Sequence, residues 1–285
     1  MTPKQHNLIV RSLAGIVFLT IMVGGIVYGP LSMGLLFTLI TALSVREFCH
    51  IVSERGDVSV NSFICSVSGA YLFLAFFGYM SGLTPTPAVF IPYLISTIYL
   101  LVSELYLQRE SPINNWACTM MSQMYVALPF SLMPVLAFLT DPAHPGMGVC
   151  YRWIFPLSVF IFLWTSDTGA YCFGSLFGRH RLFERISPKK SWEGSVGGAF
   201  VTVVAAYVIA RFDQSLTLPQ WIGFALVVVV FGTWGDLVES LLKRQLGIKD
   251  SGNVIPGHGG MLDRFDSSLL AIPAVVVYLY TLTIL

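Results

Sequence analysis

The stretch "SLAGIVFLTIMVGGIVYGPLSMGLLFTLITALSV", residues 12–45, decides the fold class. It holds no charged residue, and Arg11 and Arg46 close its two ends. A bilayer core about 30 Å thick needs ~20 helical residues to cross, so the run is too long for one span. Gly29-Pro30 lies near its middle, and such a pair breaks a helix. The stretch therefore predicts a two-helix hairpin, slightly short, whose end residues snorkel toward the interface.

The rest of the chain repeats this pattern. Of its 285 residues 55% are hydrophobic and only 11% charged, and the mean hydropathy is +0.74. A soluble domain carries roughly 25% charged residues, so the composition predicts an all-α polytopic integral membrane protein. A net charge of +1 offers no electrostatic footprint for nucleic acid, so no nucleic-acid partner is expected. Cys49, Cys65, Cys118, Cys150 and Cys172 are scattered with no CxxC. They read as small apolar residues rather than a zinc or disulfide framework. Lys4 and Arg11 precede the first apolar run without a convincing cleavage site, so that run reads as an uncleaved first helix.

The uncharged run between Asp57 and Glu104 is broken by "TPTPA" at 84–88 into two more spans. Others are predicted near 118–139, 153–173, 194–211, 219–241 and 265–285, which makes about nine helices. With the N-terminus cytoplasmic, the segments 1–12, 46–61, 107–117, 174–193 and 242–264 face the cytoplasm. They hold fourteen of the 16 basic residues: Lys4, Arg11, Arg46, Arg55, Arg109, Arg179, Arg181, Arg185, Lys189, Lys190, Lys243, Arg244, Lys249 and Arg264. Only Arg152 and Arg211 fall on the other side. That partition follows the positive-inside rule and places the C-terminus outside. We divide the chain into an N-terminal transmembrane region, 1–150, with about five helices, and a C-terminal catalytic region, 151–285, with about four. The long cytoplasmic loops 174–193 and 242–264 belong to the latter.

Carboxylates inside apolar spans are costly and mark function or pairing. Asp167 lies in "FLWTSDTGAYCFG" (162–174), and Asp236 and Glu239 in "GTWGDLVESLLKR" (232–244). Asp236, Glu239, Ser240 and Lys243 are spaced i, i+3, i+4 and i+7, one face of one helix. Asp263 and Asp266 repeat the i, i+3 spacing at the start of the last helix. Neighbouring helices would bring Asp236 and Asp263 together. Carboxylate oxygens without a Cys or His crowd suit Mg²⁺, so Asp236 and Asp263 are the expected metal ligands, with Asp266 or Glu239 supporting. His258 is open to three readings: ligand, phosphate contact or loop hydrogen-bonder.

Phosphate handling is the second theme. In "RISPKKSWEGSVGG" (185–198), Ser187-Pro188 reads as an N-cap with proline at the first helical position. Lys189 and Lys190 would then sit in a first turn whose dipole disfavours cations, a conflict that a bound anion resolves. Lipid headgroups are the plainer partners for such lysines. The loop "GIKDSGNVIPGHGG" (247–260) carries Gly259, Gly260 and three further glycines, which permit close backbone approach to a ligand. Neither a P-loop nor a dinucleotide fingerprint is present.

The segment "SLLKRQLGIKDSGNVIPGHGGMLDRFD" (240–266) resembles the signature of the phosphatidate cytidylyltransferase (CDP-diacylglycerol synthase) family: S-x-x-K-R, then K-D, then P-x-H-G-G-x-x-D-R-x-D. "SPKKSWEG" and "SDTGAY" resemble further family elements, as does a nine-span layout. The motif resemblance covers about the C-terminal 120 residues; the first 150 match in hydropathy only. It implies that CTP and phosphatidate give CDP-diacylglycerol and pyrophosphate. It also implies Mg²⁺ with a monovalent cation such as K⁺, a homodimer, and a multi-pass cell membrane location, here a bacterial inner membrane with a cytoplasmic-facing site.

Phosphatidate is a phosphomonoester with a second pKa of about 6, so the nucleophile is ionised at neutral pH. The obstacles are anion repulsion and in-line alignment. Asp236, Asp263, Lys249, Arg264 and His258 are the expected catalytic groups. Ser187, Lys189, Lys190, Ser240, Lys243, Arg244, Asp167, Gly259 and Gly260 are expected to hold substrate. A CTP-dependent polyprenol kinase is the nearest rival, although its alcohol acceptor would want a base. An ion-coupled transporter lacks support, because the charges cluster in one C-terminal cytoplasmic zone and no inverted repeat is evident. The DG-x-x-AR pattern of CDP-alcohol phosphotransferases is absent.

Overall fold

The structure, a computed structural model, describes residues 3–56, 58–138, 149–252 and 259–284. His258 lies outside them. The helices follow the breaks that the sequence sets. α1 (Pro3–Val27) and α2 (Pro30–Arg55) are separated at Gly29-Pro30. α3 (Ser62–Met80) starts at Asn61, whose side chain accepts the Ile64 N–H, a standard capping bond. After Gly82, at φ +76°, a 3₁₀ turn (Pro87–Phe90) capped by Thr86 leads into α4 (Ile91–Leu107).

The next segment starts earlier than the predicted 118. α5 (Pro112–Met121) begins at Ser111-Pro112 and passes through a π turn (Ser122–Ala127) into two short helices, α6 (Leu128–Ser131) and α7 (Met133–Ala137). The early start has a polar cause. Asn115, which looks like a loop residue, is buried, donates to Glu104 at 3.0 Å and accepts the Ser59 N–H at 2.7 Å. The breaks have a backbone cause: Pro129 and Pro134 each remove a helical donor and crowd the carbonyl four residues back.

α8 (Ile154–Phe177), α9 (Trp192–Phe212), α10 (Leu218–Gln245) and α11 (Leu262–Ile284) complete the all-α frame. Among the described residues seven helical segments are long and apolar enough to cross a membrane: α2, α3, the 3₁₀ turn with α4, α5 to α7, α9, α10 and α11. α1 offers a shorter apolar stretch, Ser12–Val27. α8 is as long as the others but is diluted by Thr165, Ser166, Asp167 and Thr168.

One element departs from the helical expectation. β1 (Arg181–Phe183) and β2 (Ser187–Ser191) form an antiparallel hairpin. The predicted N-cap at Ser187 is therefore wrong. Ser187 pairs with Phe183 in the ribbon, and Ser191 caps α9 by accepting the Gly194 N–H at 3.1 Å. Lys189 and Lys190 lie on the strand, ahead of the helix, and escape the unfavourable first turn.

The chain packs as two compact units. The first comprises described residues 3–138, 149–153, 245–252 and 259–265. An aromatic core runs through it: Phe73 stacks between Phe37 and Phe77, and Phe265 packs edge-on against Phe130 at 5.4 Å. Its loops are tied by hydrogen bonds, as where Tyr151 donates to the Ile26 carbonyl and Glu104 pairs with Arg109 at 2.8 Å.

The second unit comprises described residues 154–244 and 266–284. Here α8 and α9 approach so closely that a Cβ on Gly169 would sit 2.9 Å from the Gly198 Cα, and one on Gly198 would sit 2.7 Å from the Ser166 carbonyl. Small residues let membrane helices pack backbone to backbone. Likewise Gly235 of α10 faces the Asp266 carbonyl of α11. Buried Trp221 stacks on Phe155 and Phe224, both at 5.7 Å. Those close packings bring the charged residues of four elements together.

Candidate functional site

The second unit holds most of the predicted charge. Lys190, delivered by the hairpin, places its ammonium 2.5 Å from the Asp236 carboxylate of α10. The Ser240 hydroxyl, one helical turn on, donates to the other Asp236 oxygen at 3.1 Å. Asp167 of α8 lies within electrostatic range of both Lys190 and Asp236. It shares with Lys189, Lys190, Ser191 and Ser195 a cavity of about 220 Å³. Its walls are polar around the capped start of α9 and apolar at Leu163, Val228 and Val229.

The predicted stripe on α10 is present. Glu239 is fully buried, and Lys243, one turn along, approaches it at 3.4 Å. Asp266 lies within electrostatic range of Asp236, Glu239 and Lys243. Arg244 is exposed at the end of α10. Among the described residues no three His, Cys, Asp or Glu side chains are grouped as a metal site.

The first unit holds the remainder. Lys249 and Arg264 are exposed. Asp263 is turned onto backbone: one oxygen accepts the Ser251 N–H at 2.8 Å and the Gly260 N–H at 2.9 Å. Gly259 has φ +85°, and a Cβ there would sit 2.8 Å from the Asp263 carboxylate. Asp236 and Asp263 thus belong to different units.

Sequence reasoning missed Glu47. It is buried in α2 and accepts hydrogen bonds from the Ser251 hydroxyl and from the Met261 and Leu262 N–H groups, the last two at 2.8 and 3.2 Å. The signal was available: Glu47 follows Arg46 at the edge of the opening uncharged run, among Val45, Phe48 and Cys49. An acid so placed carries the same expectation of function or pairing that singled out Asp167.

A helical, apolar chain with buried carboxylates and a lysine hairpin defines the class: an all-α protein with helices fit to cross a membrane. The particular family is set by comparison. The chain belongs to the cytidylyltransferase family, which it matches over residues 9–282. It is 39% identical over 158 residues to a phosphatidate cytidylyltransferase of Staphylococcus aureus (strain COL), covering 53% of this chain and 61% of that protein. A phosphatidate cytidylyltransferase of Staphylococcus haemolyticus gives the same figures. One of Staphylococcus epidermidis is 40% identical over 160 residues, again 53% and 61% of the two chains. The chain thus aligns with 61% of the length of these curated relatives.

Proposed function

We propose that this protein is a phosphatidate cytidylyltransferase. A phosphate oxygen of phosphatidate attacks the α-phosphorus of CTP, the bond to the β-phosphate breaks, and pyrophosphate leaves with CDP-diacylglycerol as product. The observation that carries this reading is the Lys190–Asp236 pair, set beside Asp167 and a cavity that is polar at one end and apolar at the other. Lys189 makes no ion pair among the described residues, and it lines that cavity. Its ammonium and the N–H groups opening α9 are the groups that receive a lipid phosphate, while the apolar walls suit the glycerol and first methylenes.

The residues act by holding and aligning two anions. Lys189, Lys190, Lys243, Arg244, Lys249 and Arg264 neutralise phosphate charge, and Ser187 and Ser240 add polar contacts. Asp167 and Asp236 keep Lys190 oriented until substrate arrives. No general base is needed, because the phosphomonoester is already ionised near neutral pH, its second pKa being about 6.

Mg²⁺ fits the donor chemistry. It needs one or two carboxylates, with water and phosphate oxygens completing its shell, and Asp236 is a part-exposed carboxylate already ordered by Ser240. We assign Asp236 and Asp263 to metal binding, with Asp266 or Glu239 supporting. Mg²⁺ bound there supplies charge neutralisation on the CTP phosphates. A monovalent cation such as K⁺ and a homodimeric assembly belong to the same reading. So do nine spans with a cytoplasmic N-terminus, an outer C-terminus and a location in a bacterial inner membrane. The 1–150 region then shapes the lipid entrance, and 151–285 carries the chemistry.

The test is purified protein with phosphatidate, Mg²⁺ and CTP labelled at the α-phosphate. Label in a CDP-lipid, lost on chelation and restored by Mg²⁺, is expected. Transfer of the γ-phosphate to a lipid alcohol instead would identify a lipid kinase.

A further inference from the structure

The start of α11 has no cap of its own. A helix leaves its first N–H groups without intrahelical partners, and Ser, Thr, Asp or Asn just ahead of it normally supplies the missing oxygen. Here Gly259, Gly260 and Met261 precede Leu262, and none has one. The oxygens come from Glu47, 214 residues earlier than Met261, on α2. Both Glu47 oxygens are used: one accepts the Met261 N–H, the other the Leu262 N–H and the Ser251 hydroxyl. Ser251 in turn receives the Asp263 N–H at 3.3 Å and gives its own N–H to the Asp263 carboxylate.

The glycines fit around this knot. A Cβ on Gly260 would run into the Glu47 carboxylate and the Ser251 hydroxyl, and one on Gly252 would sit 3.0 Å from Glu47. The close approach that these glycines permit is to carboxylates of the protein itself.

We propose that Glu47 is a positioning residue of the active site. It ties Ser251, Met261 and Leu262 to α2 and so fixes where the neighbouring Lys249, Asp263 and Arg264 stand. This inference rests on the cytidylyltransferase reading for its kinetic consequence, but the clamp itself does not. It gives the N-terminal helix α2 a part in catalysis through the residues it holds in place.

The test uses full-length protein and the variant Glu47→Gln, which keeps the volume and one accepting oxygen but replaces the other by a donor. Hydrogen exchange at Met261 and Leu262 should quicken by at least ~10-fold while α8 and α9 stay protected. Per folded molecule, kcat should fall by roughly 10²-fold, the cost of small misplacement of reacting groups, and KM for CTP should rise by about 10-fold as Lys249 and Arg264 lose their place. A merely less stable protein would lose active molecules with KM unchanged, and that result would overturn the proposal. So would unchanged exchange at Met261 and Leu262. If Glu47→Gln does not fold, Gly260→Ala, which drives a methyl into the same contact, is read in the same way. Should the wild-type protein form no CDP-lipid, the function falls, and the exchange measurement still decides the clamp.

Discussion

Lys190 and Asp236 meet at 2.5 Å although one rides on the second strand of a short hairpin and the other on α10. Their side chains are 27% and 29% exposed, so the pair is shielded without being sealed. A fully exposed pair would be worth little, and a fully buried one would have to compensate a large desolvation cost. An intermediate pair holds the lysine in place while leaving it accessible, as the proposed phosphate-binding role requires.

Asp236→Asn and Lys190→Ala should each lower CDP-lipid formation by at least ~100-fold, on the scale of losing a charge-stabilising group. The double variant should lose far less than the product of the two, because residues in contact are not additive. Turnover of purified single and double variants, normalised to folded protein, checks this. Strict multiplicativity would separate the two residues into independent roles.

The parts legible in the sequence were those set by backbone breaks and helical spacing. Gly29-Pro30 and "TPTPA" announced their turns, and the i, i+3, i+4, i+7 spacing placed Asp236, Glu239, Ser240 and Lys243 on one face. Local signals misled where a tertiary partner outbid them. Ser187-Pro188 has the look of a helix start, but pairing with β1 holds it extended and leaves the cap to Ser191. Asn115 has the look of a loop residue until Glu104 and Ser59 are placed beside it. Glu47 could have been marked as an acid needing a partner, but its partners could not be named, since they lie more than two hundred positions away.

The α8–α9 contact predicts a sharp contrast among glycines. Gly198→Val puts a branched side chain against the Ser166 carbonyl and Ala170. Overpacking of this kind costs about 1–3 kcal/mol, so the melting temperature in detergent should drop by several degrees. Gly24→Ala in α1 meets nothing within 4 Å and should leave it unchanged or slightly raised, as helix propensity favours alanine by up to ~1 kcal/mol.

Glu104 offers a stability test away from the chemistry. Its buried carboxylate serves Arg109 at 2.8 Å and Asn115 at 3.0 Å, and Arg109 also donates to the Ser59 carbonyl. Glu104→Ala leaves a buried amide and a guanidinium short of an acceptor, at about 1–3 kcal/mol for the unsatisfied group. Thermal unfolding should register that loss, while KM for CTP stays at the wild-type value. A raised KM would move Glu104 into the substrate machinery.

The orientation can be read from natural cysteines. Cys150 and Cys172 are exposed, whereas Cys49 and Cys65 are buried. Cys150 precedes Arg152, one of the two basic residues that the charge partition assigns to the outer side, and Cys172 lies near the end of α8 that the same partition assigns to the cytoplasm. In right-side-out vesicles a membrane-impermeant maleimide should label Cys150 and spare Cys172. Inverted vesicles should reverse the pattern, and the variants Cys150→Ser and Cys172→Ser identify each band. Labelling of both residues from one side would remove α8 from the spans and overturn the nine-helix topology. The partition of basic residues would then need a different explanation, because it depends on α8 carrying the chain from one face to the other.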